Sequence, residues 1–220
     1  MEKLVIFGAG QIAEVAHYYF TEDSAYAVAG FAVDADYLEA AEVLGRPVVA
    51  FEDAEQHFPP EDHAMFVAMG YGGVNANRAA KVGEARAKGY GLAHYVSSSA
   101  AVWTGFEPRP NQFILEHNTI QPHVEIGENT TLWSGNHIGH HTRIGDNVFI
   151  ASHVVVSGSV AIGDNCFLGV NSTVRDNVTV GRASVLGAGA LVVKDAPDNT
   201  VYPASASEPS KVPSNRLRKI

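Results

Sequence analysis

The stretch ILEHNTIQPHVEIGENTTLWSGNHIGHHTRIGDNVFI, residues 114–150, puts an aliphatic side chain at every sixth position. Counting on by six gives Ile114, Ile120, Ile126, Leu132, Ile138, Ile144, Ile150, Val156, Ile162, Leu168, Val174, Val180, Leu186 and Val192 without a failure. The next residue is often glycine, as at Gly127, Gly139, Gly145, Gly163, Gly169, Gly181 and Gly187. Four places after the aliphatic come small or β-branched residues, among them Thr130, Thr142, Val148, Val154, Val160, Cys166, Ser172, Val178, Ser184 and Ala190. A helix needs apolar residues three and four apart, and an ordinary strand needs plain alternation. A period of six with small partners is the pattern of a β-solenoid in which each hexad forms one short strand and one corner.

Three hexads close one triangular coil, so residues 18 apart stack at the strand spacing of about 4.8 Å. Each inward aliphatic buries itself against its copies above and below. That contributes on the order of 1.5–3 kcal/mol apiece before the cost of ordering the chain. Cys166 falls on an inward small position and reads as core.

Upstream of the hexads the periodicity changes. Leu4–Phe7, Ala27–Val33, Pro47–Val49, Ala64–Ala68 and a last run near Leu92–Val96 are strand-like, while Gln11–Phe20 and Asn77–Lys88 suit helices. Alternating strands and helices predict a small Rossmann-like α/β domain with a parallel sheet. The expected organisation is a nucleotide-sugar-binding domain over residues 1–95, a solenoid over 96–205 and a C-terminal tail over 206–220.

The bulk composition narrows the classes. The 220 residues carry 24 acidic and 15 basic side chains, a net charge of -9 that offers no field for nucleic acid or an anionic membrane. The 46% hydrophobic content suffices for a core, yet no apolar run approaches the roughly 20 residues of a membrane span. The single cysteine cannot form an intramolecular disulfide, and MEKLVIFGAG lacks the features of a leader. A cytoplasmic setting is expected.

With GAGQIAEVA (8–16), GFAVDAD (30–36), AMGY (68–71), GHHTRIGD (139–146), IGDNCFLGVNSTV (162–174) and SVLGAGALVVKD (184–195), the chain resembles the left-handed β-helix acyltransferases over nearly its whole length. It is similar to the subgroup of sialic acid O-acetyltransferases and bacterial nucleotide-aminosugar N-acetyltransferases. That resemblance implies a homotrimer, acetyl-CoA lying along the solenoid between subunits, a histidine general base and no metal. It implies N-acetylation of a nucleotide-linked amino sugar in surface polysaccharide assembly, with O-acetylation of a sugar of the sialic acid type as the alternative.

The hexad count locates the base. In Ile138-Gly139-His140-His141-Thr142-Arg143 the Ile and Thr point inward, which leaves His140 and His141 on a corner. Eighteen residues on stands Gly158, whose bare backbone lets a ligand approach and whose N–H can donate to a thioester carbonyl. Imidazoles titrate close to neutrality, so His140 can take the proton of an attacking amine or hydroxyl. With both substrates bound together, no acyl-enzyme is needed. His140 also matches the family's catalytic histidine, but the usual acidic neighbour is replaced by His141, so His141 is the second candidate. Asn136 and His137 are candidates to orient the base; His117, His123 and His153 read as polar surface residues.

Gly8-Ala9-Gly10-Gln11-Ile12-Ala13 matches the G-x-G-x-x-G/A fingerprint between a strand and a helix, where helix N–H groups meet phosphate oxygens. A half-length domain suits the diphosphate of a nucleotide sugar better than a dinucleotide. The resemblance implies that residues 8–11 cradle that diphosphate and that Asp34 or Asp36 reaches base or ribose; Tyr71 is a further candidate at the same sheet end. It places Val170, Ala188 and Gly189 with Gly158 along acetyl-CoA. Lys211, Arg216, Arg218 and Lys219 make the tail cationic. Two readings of another class stay open: a zinc enzyme like the γ-class carbonic anhydrases, because His123 and His141 stack, and a non-catalytic sugar-nucleotide binder.

Overall fold

The computed structural model describes residues 1–204 and 206–216. Arg218 and Lys219 of the tail lie outside the described residues. The N-terminal half runs β1 (Glu2–Phe7), α1 (Gln11–Glu22), β2 (Tyr26–Val33), β3 (Glu42–Val43), β4 (Arg46–Ala50), α2 (Ala54–His57), β5 (His63–Val67), α3 (Ala76–Ala87) and β6 (Gly91–Leu92). The sheet order is β3-β4-β2-β1-β5-β6, parallel except for the antiparallel edge strand β3. The central position of β1 follows from its composition: Leu4, Val5, Ile6 and Phe7 are buried on both faces, as a strand flanked by β2 and β5 requires. Along α1, Ala13, Ala16 and Phe20 form the buried stripe that faces the sheet.

The run read as one strand over Leu92–Val96 is two. Gly91–Leu92 pairs with β5, and Tyr95–Val96 pairs with Phe113–Ile114 in the solenoid. Between them the chain changes partners: the Ala93 N–H donates to Met65 O and the Tyr95 N–H to Gln112 O. The α/β sheet thus passes into the first coil with no linker.

The solenoid is a left-handed parallel β-helix with three faces. The first stacks Tyr95–Val96, Phe113–Ile114, Thr131–Leu132, Phe149–Ile150, Phe167–Leu168, Val185–Leu186 and Val201–Tyr202. The second stacks Ala101–Val102, Thr119–Ile120, His137–Ile138, Val155–Val156, Thr173–Val174 and Leu191–Val192; the third stacks Glu125–Ile126, Arg143–Ile144, Ala161–Ile162 and Thr179–Val180. Partners are 18 residues apart, for example Thr119↔His137↔Val155. In the last coil the interval falls to 16, as in Val185↔Val201. All fourteen hexad aliphatics share one core, each no more than 4% exposed.

Corners repeat a backbone conformation. Asn111, Asn129, Asn147 and Asn165 form one column with φ of 53–61°; His117, His153 and Asn171 belong to a second, and His123, His141, Ser159 and Asn177 to a third. Left-handed backbone favours Gly and short polar side chains such as Asn, with His also enriched. Four histidines therefore stand where the turn itself favours such a residue.

The N-terminal half covers the lower part of the first face. Phe20, Phe66, Tyr95 and Phe113 pack with ring centroids 5.0–6.4 Å apart. Polar links cross the junction, among them Tyr19 to Glu116, Tyr95 to Asp23 at 2.7 Å, and a two-pronged Arg86–Glu128 pair at 2.6 and 2.7 Å.

Candidate functional site

On the corner between the second and third faces, Gly139 is buried against the coil above, where an added Cβ would meet Ser157 C at 2.5 Å. This bare position lets consecutive coils close up and leaves the exposed His140 ring over Gly158. A methyl group added at Gly158 would stand 2.7 Å from His140 Cε1 and 2.8 Å from Nε2. The ring's other nitrogen, Nδ1, lies 3.2 Å from His141 Nδ1. One of these nitrogens must donate and the other accept, which fixes the tautomers as a pair.

The amides of this corner differ among themselves. The His140 N–H donates to Gln121 Oε1 at 2.9 Å, and the equivalent amides of the next corner donate to aspartates, Glu128 N to Asp146 Oδ1 and Asp146 N to Asp164 Oδ1. The Gly158 N–H has no acceptor among the described residues. An uncapped donor thus lies beside an imidazole that can accept a proton. The hexad count placed both, and the structure brings them together.

The orienting contacts expected of Asn136 and His137 are not made. Asn136 is 1% exposed and spans coils, its Nδ2 donating to Trp133 O and its Oδ1 accepting from Val154 N. His137 lies on the second face, whose pleat carries it away from the corner. His123 stacks under His141 with centroids 4.7 Å apart, and Trp103 follows at 5.5 Å, so an indole ring occupies the third place of that column. Among the described residues no group of three or more His, Cys, Asp or Glu is placed to hold a metal.

A groove of about 410 Å³ opens at the corner between the first and second faces, lined by Ile12, Tyr71, Trp133, Phe149, Ala151, Ser152, Phe167, Gly169, Val170 and Ala188. Val170 and Ala188 are therefore together. Gly189 is the left-handed turn residue beyond them, with φ +71°, and does not line the groove. Tyr71, expected beside the nucleotide, lies here, with its ring 5.2 Å from Phe149 and 4.6 Å from Phe167. In one chain this groove and the His140 corner are separated by the whole second face, one hexad or at most about 20 Å of extended chain.

A second cavity, about 750 Å³, lies at the carboxyl ends of β1 and β2 and includes Gly8, Ala9, Gly10, Asp34, Tyr37, Asn77, Lys81 and Glu84. Crevices at this sheet end are where open α/β folds bind ligands. The left-handed Gly8, φ +112°, spends its N–H on Ala32 O, so phosphate donors must come from the amides after it. Gln11 and Asp36 are exposed and do not line the cavity; Asp36 is in the short turn Ala35–Tyr37. Lys81, absent from the sequence reading, bonds Asp34 at 2.6 Å and Glu84, above the rings of Phe7 and Phe51. Burial pulls its pKa down, and the two carboxylates raise it by more, so the ammonium is secure. Only its place on α3, one turn after Asn77, could have signalled it.

Cys166 is buried, and burial pushes its thiol up to about 11, which suits core packing and not nucleophilic work.

Residues 113–158 match the family described as bacterial transferase hexapeptide (six repeats), and residues 159–194 match the hexapeptide repeat of succinyl-transferase. No curated protein matches. Among solved structures, a histidine-to-asparagine mutant of perosamine N-acetyltransferase from Caulobacter crescentus, in complex with CoA and GDP-perosamine, is 27% identical. The likeness covers 92% of this chain and 93% of that one, with a TM-score of 0.81. The acetyltransferase domain of PglB from Neisseria gonorrhoeae shares the fold at 22% identity over 96% and 100% of the two chains, TM-score 0.80. WeeI from Acinetobacter baumannii does so at 19% over 91% and 96%, TM-score 0.70.

Proposed function

We propose that this chain, whose residues 113–194 match models of hexapeptide-repeat transferases, transfers an acetyl group from acetyl-CoA to the amine of a nucleotide-linked amino sugar. The main support is the uncapped Gly158 amide beside the His140 imidazole. The likeness to a transferase solved with CoA and GDP-perosamine supports the two substrate classes.

The chemistry balances with groups already present. The reaction uses the tautomer in which His140 Nδ1–H donates to His141 Nδ1 across their 3.2 Å contact, which leaves the Nε2 lone pair free. As the amine attacks the thioester carbon, Nε2 takes its proton, and the Gly158 N–H donates to the oxyanion. Collapse breaks the C–S bond, and the imidazolium returns the proton to the departing thiolate. No covalent enzyme intermediate forms, because the amine and the thioester react in one ternary complex.

A homotrimer supplies the missing adjacency. The second face presents Thr119, His137, Val155, Thr173 and Leu191 outward, without a fixed charge, and Val155 and Leu191 are 41% and 65% exposed. It is flanked by the His140 corner on one side and the groove on the other. A copy seated there by a three-fold rotation brings the imidazole of one subunit to the groove of the next. Acetyl-CoA occupies that groove past Val170 and Ala188, and the nucleotide diphosphate lies on the Gly8–Gly10 side of the larger cavity, in a cytoplasmic enzyme of glycan assembly.

The test is free-thiol release from acetyl-CoA on addition of UDP-, GDP- and dTDP-linked amino sugars and their hydroxyl counterparts. Release is expected with an amino sugar and not with its hydroxyl analogue. Thiol release confined to hydroxyl sugars, or none with the whole panel, contradicts the proposal.

A further inference from the structure

Among the described residues Arg78 is the largest side chain buried to this degree, 1% exposed, and none of its hydrogen-bond partners there is a carboxylate. Burial pulls its pKa down to about 10, so the guanidinium remains a cation at neutral pH. Its partners are all neutral oxygens: Nε donates to Asn129 Oδ1 at 3.1 Å, Nη1 to Gly70 O at 2.9 Å and Asn75 Oδ1 at 3.1 Å. Nη2 donates to Asn129 O and Asn147 O at 3.1 Å and to Val148 O at 3.3 Å. Asn75 continues the link through Nδ2 to Asn165 O and Cys166 O. One planar fork therefore ties the loop after β5 and the start of α3 to two successive coils, and Asn75 extends the tie to a third. An apolar residue of equal volume would fill the space but hold none of these carbonyls.

The segment held in this way stands between the two cavities. Met69, Asn77, Lys81 and Glu84 border the nucleotide cavity, while Tyr71 borders the groove. The neck between them is Gly70 opposite Ile12, where a Cβ at Gly70 would come 3.3 Å from Ile12 Cδ1. Building on the functional reading above, we propose that Arg78 is a positioning residue that sets this neck, the passage through which a sugar on its diphosphate reaches from the nucleotide cavity into the groove. Lysine cannot replace it, because a point ammonium cannot serve the loop carbonyl and two coils at once.

Hydrogen exchange on the full chain, with no ligand present, reads the positioning directly. In Arg78→Lys, peptides covering residues 69–76 should exchange about tenfold faster while those of the upper coils are unchanged. Equal exchange at 69–76 overturns the proposal. On the amino sugar the wild type accepts, Arg78→Lys should lower kcat by about 10²-fold with UDP, GDP and acetyl-CoA affinities held, as for a misplaced substrate. An unchanged kcat also overturns it. Should Arg78→Lys fail to fold, Gly70→Ala narrows the same neck and should show the same split between kcat and nucleotide affinity; full kcat there sinks the idea. A wild-type chain inert to every sugar tested defeats the functional reading, and the exchange result still decides what Arg78 does.

Discussion

Ten histidines are in this chain, and backbone conformation separates them. His117, His123, His141 and His153 have left-handed turn backbone, whereas His140 does not and carries the ring that reaches Gly158. His140→Ala should therefore lower kcat by about 10²–10⁴-fold while acetyl-CoA still binds, measured by steady-state kinetics and calorimetry. Gly158→Ala places a methyl group inside contact distance of the imidazole and should cost about 10²-fold in kcat. His141→Asn keeps both the left-handed turn and an acceptor, so it should retain more activity than His141→Ala, which should lose about tenfold. The pairing of 140 with 158 was legible by counting. The role of Gln121 in capping the His140 amide was not, because a side chain reaching across a coil leaves no period in the sequence.

At the scale of the element, each hexad is stable only because its neighbours bury it. Ile150 is fully buried between Leu132 and Leu168, so Ile150→Ala should cost about 2–5 kcal/mol, read as a lowered denaturation midpoint with an unchanged slope. The hexads were legible because their period is enforced by stacking at every turn. The Leu92–Val96 run was misread as one strand because local β-propensity cannot say which of two sheets a residue joins; Ala93 and Tyr95 bond in opposite directions. β3 escaped notice because two residues carry no alternation to read. Lys81 and Tyr71 escaped correct placement for a related reason: their partners are on segments far away in sequence.

At the scale of the molecule, the junction between the two halves depends on carboxylates. Asp23 is held below the usual range chiefly by the Ser98 amide and by Tyr95. For Glu116 burial opposes ionisation, but Ser134 and Tyr19 outweigh it; Glu128 is lowered chiefly by Arg86. Folded values below the unfolded ones mean that this stability is present above the ordinary carboxylate range near pH 4 and is lost as the pH falls through the folded values. Acid should therefore loosen the junction before the solenoid core, whose aliphatic stack does not titrate. Near-ultraviolet circular dichroism of the aromatic cluster should fall below about pH 4 while the β-sheet signal of the coils persists.

The same scale decides the chemistry, because His140 and the groove lie on different corners of one prism, and the proposed trimer is what brings them together. Mixing two inactive variants tests this directly: His140→Ala, which keeps the groove, and Val170→Trp, which fills it at a half-exposed site and keeps the imidazole. Co-refolded in equal amounts, they should recover about one quarter of the wild-type thiol release, the fraction of interfaces in a random trimer that pair an intact imidazole with an intact groove. A mixture as inactive as its components, or a His140→Ala protein active on its own, would contradict the account.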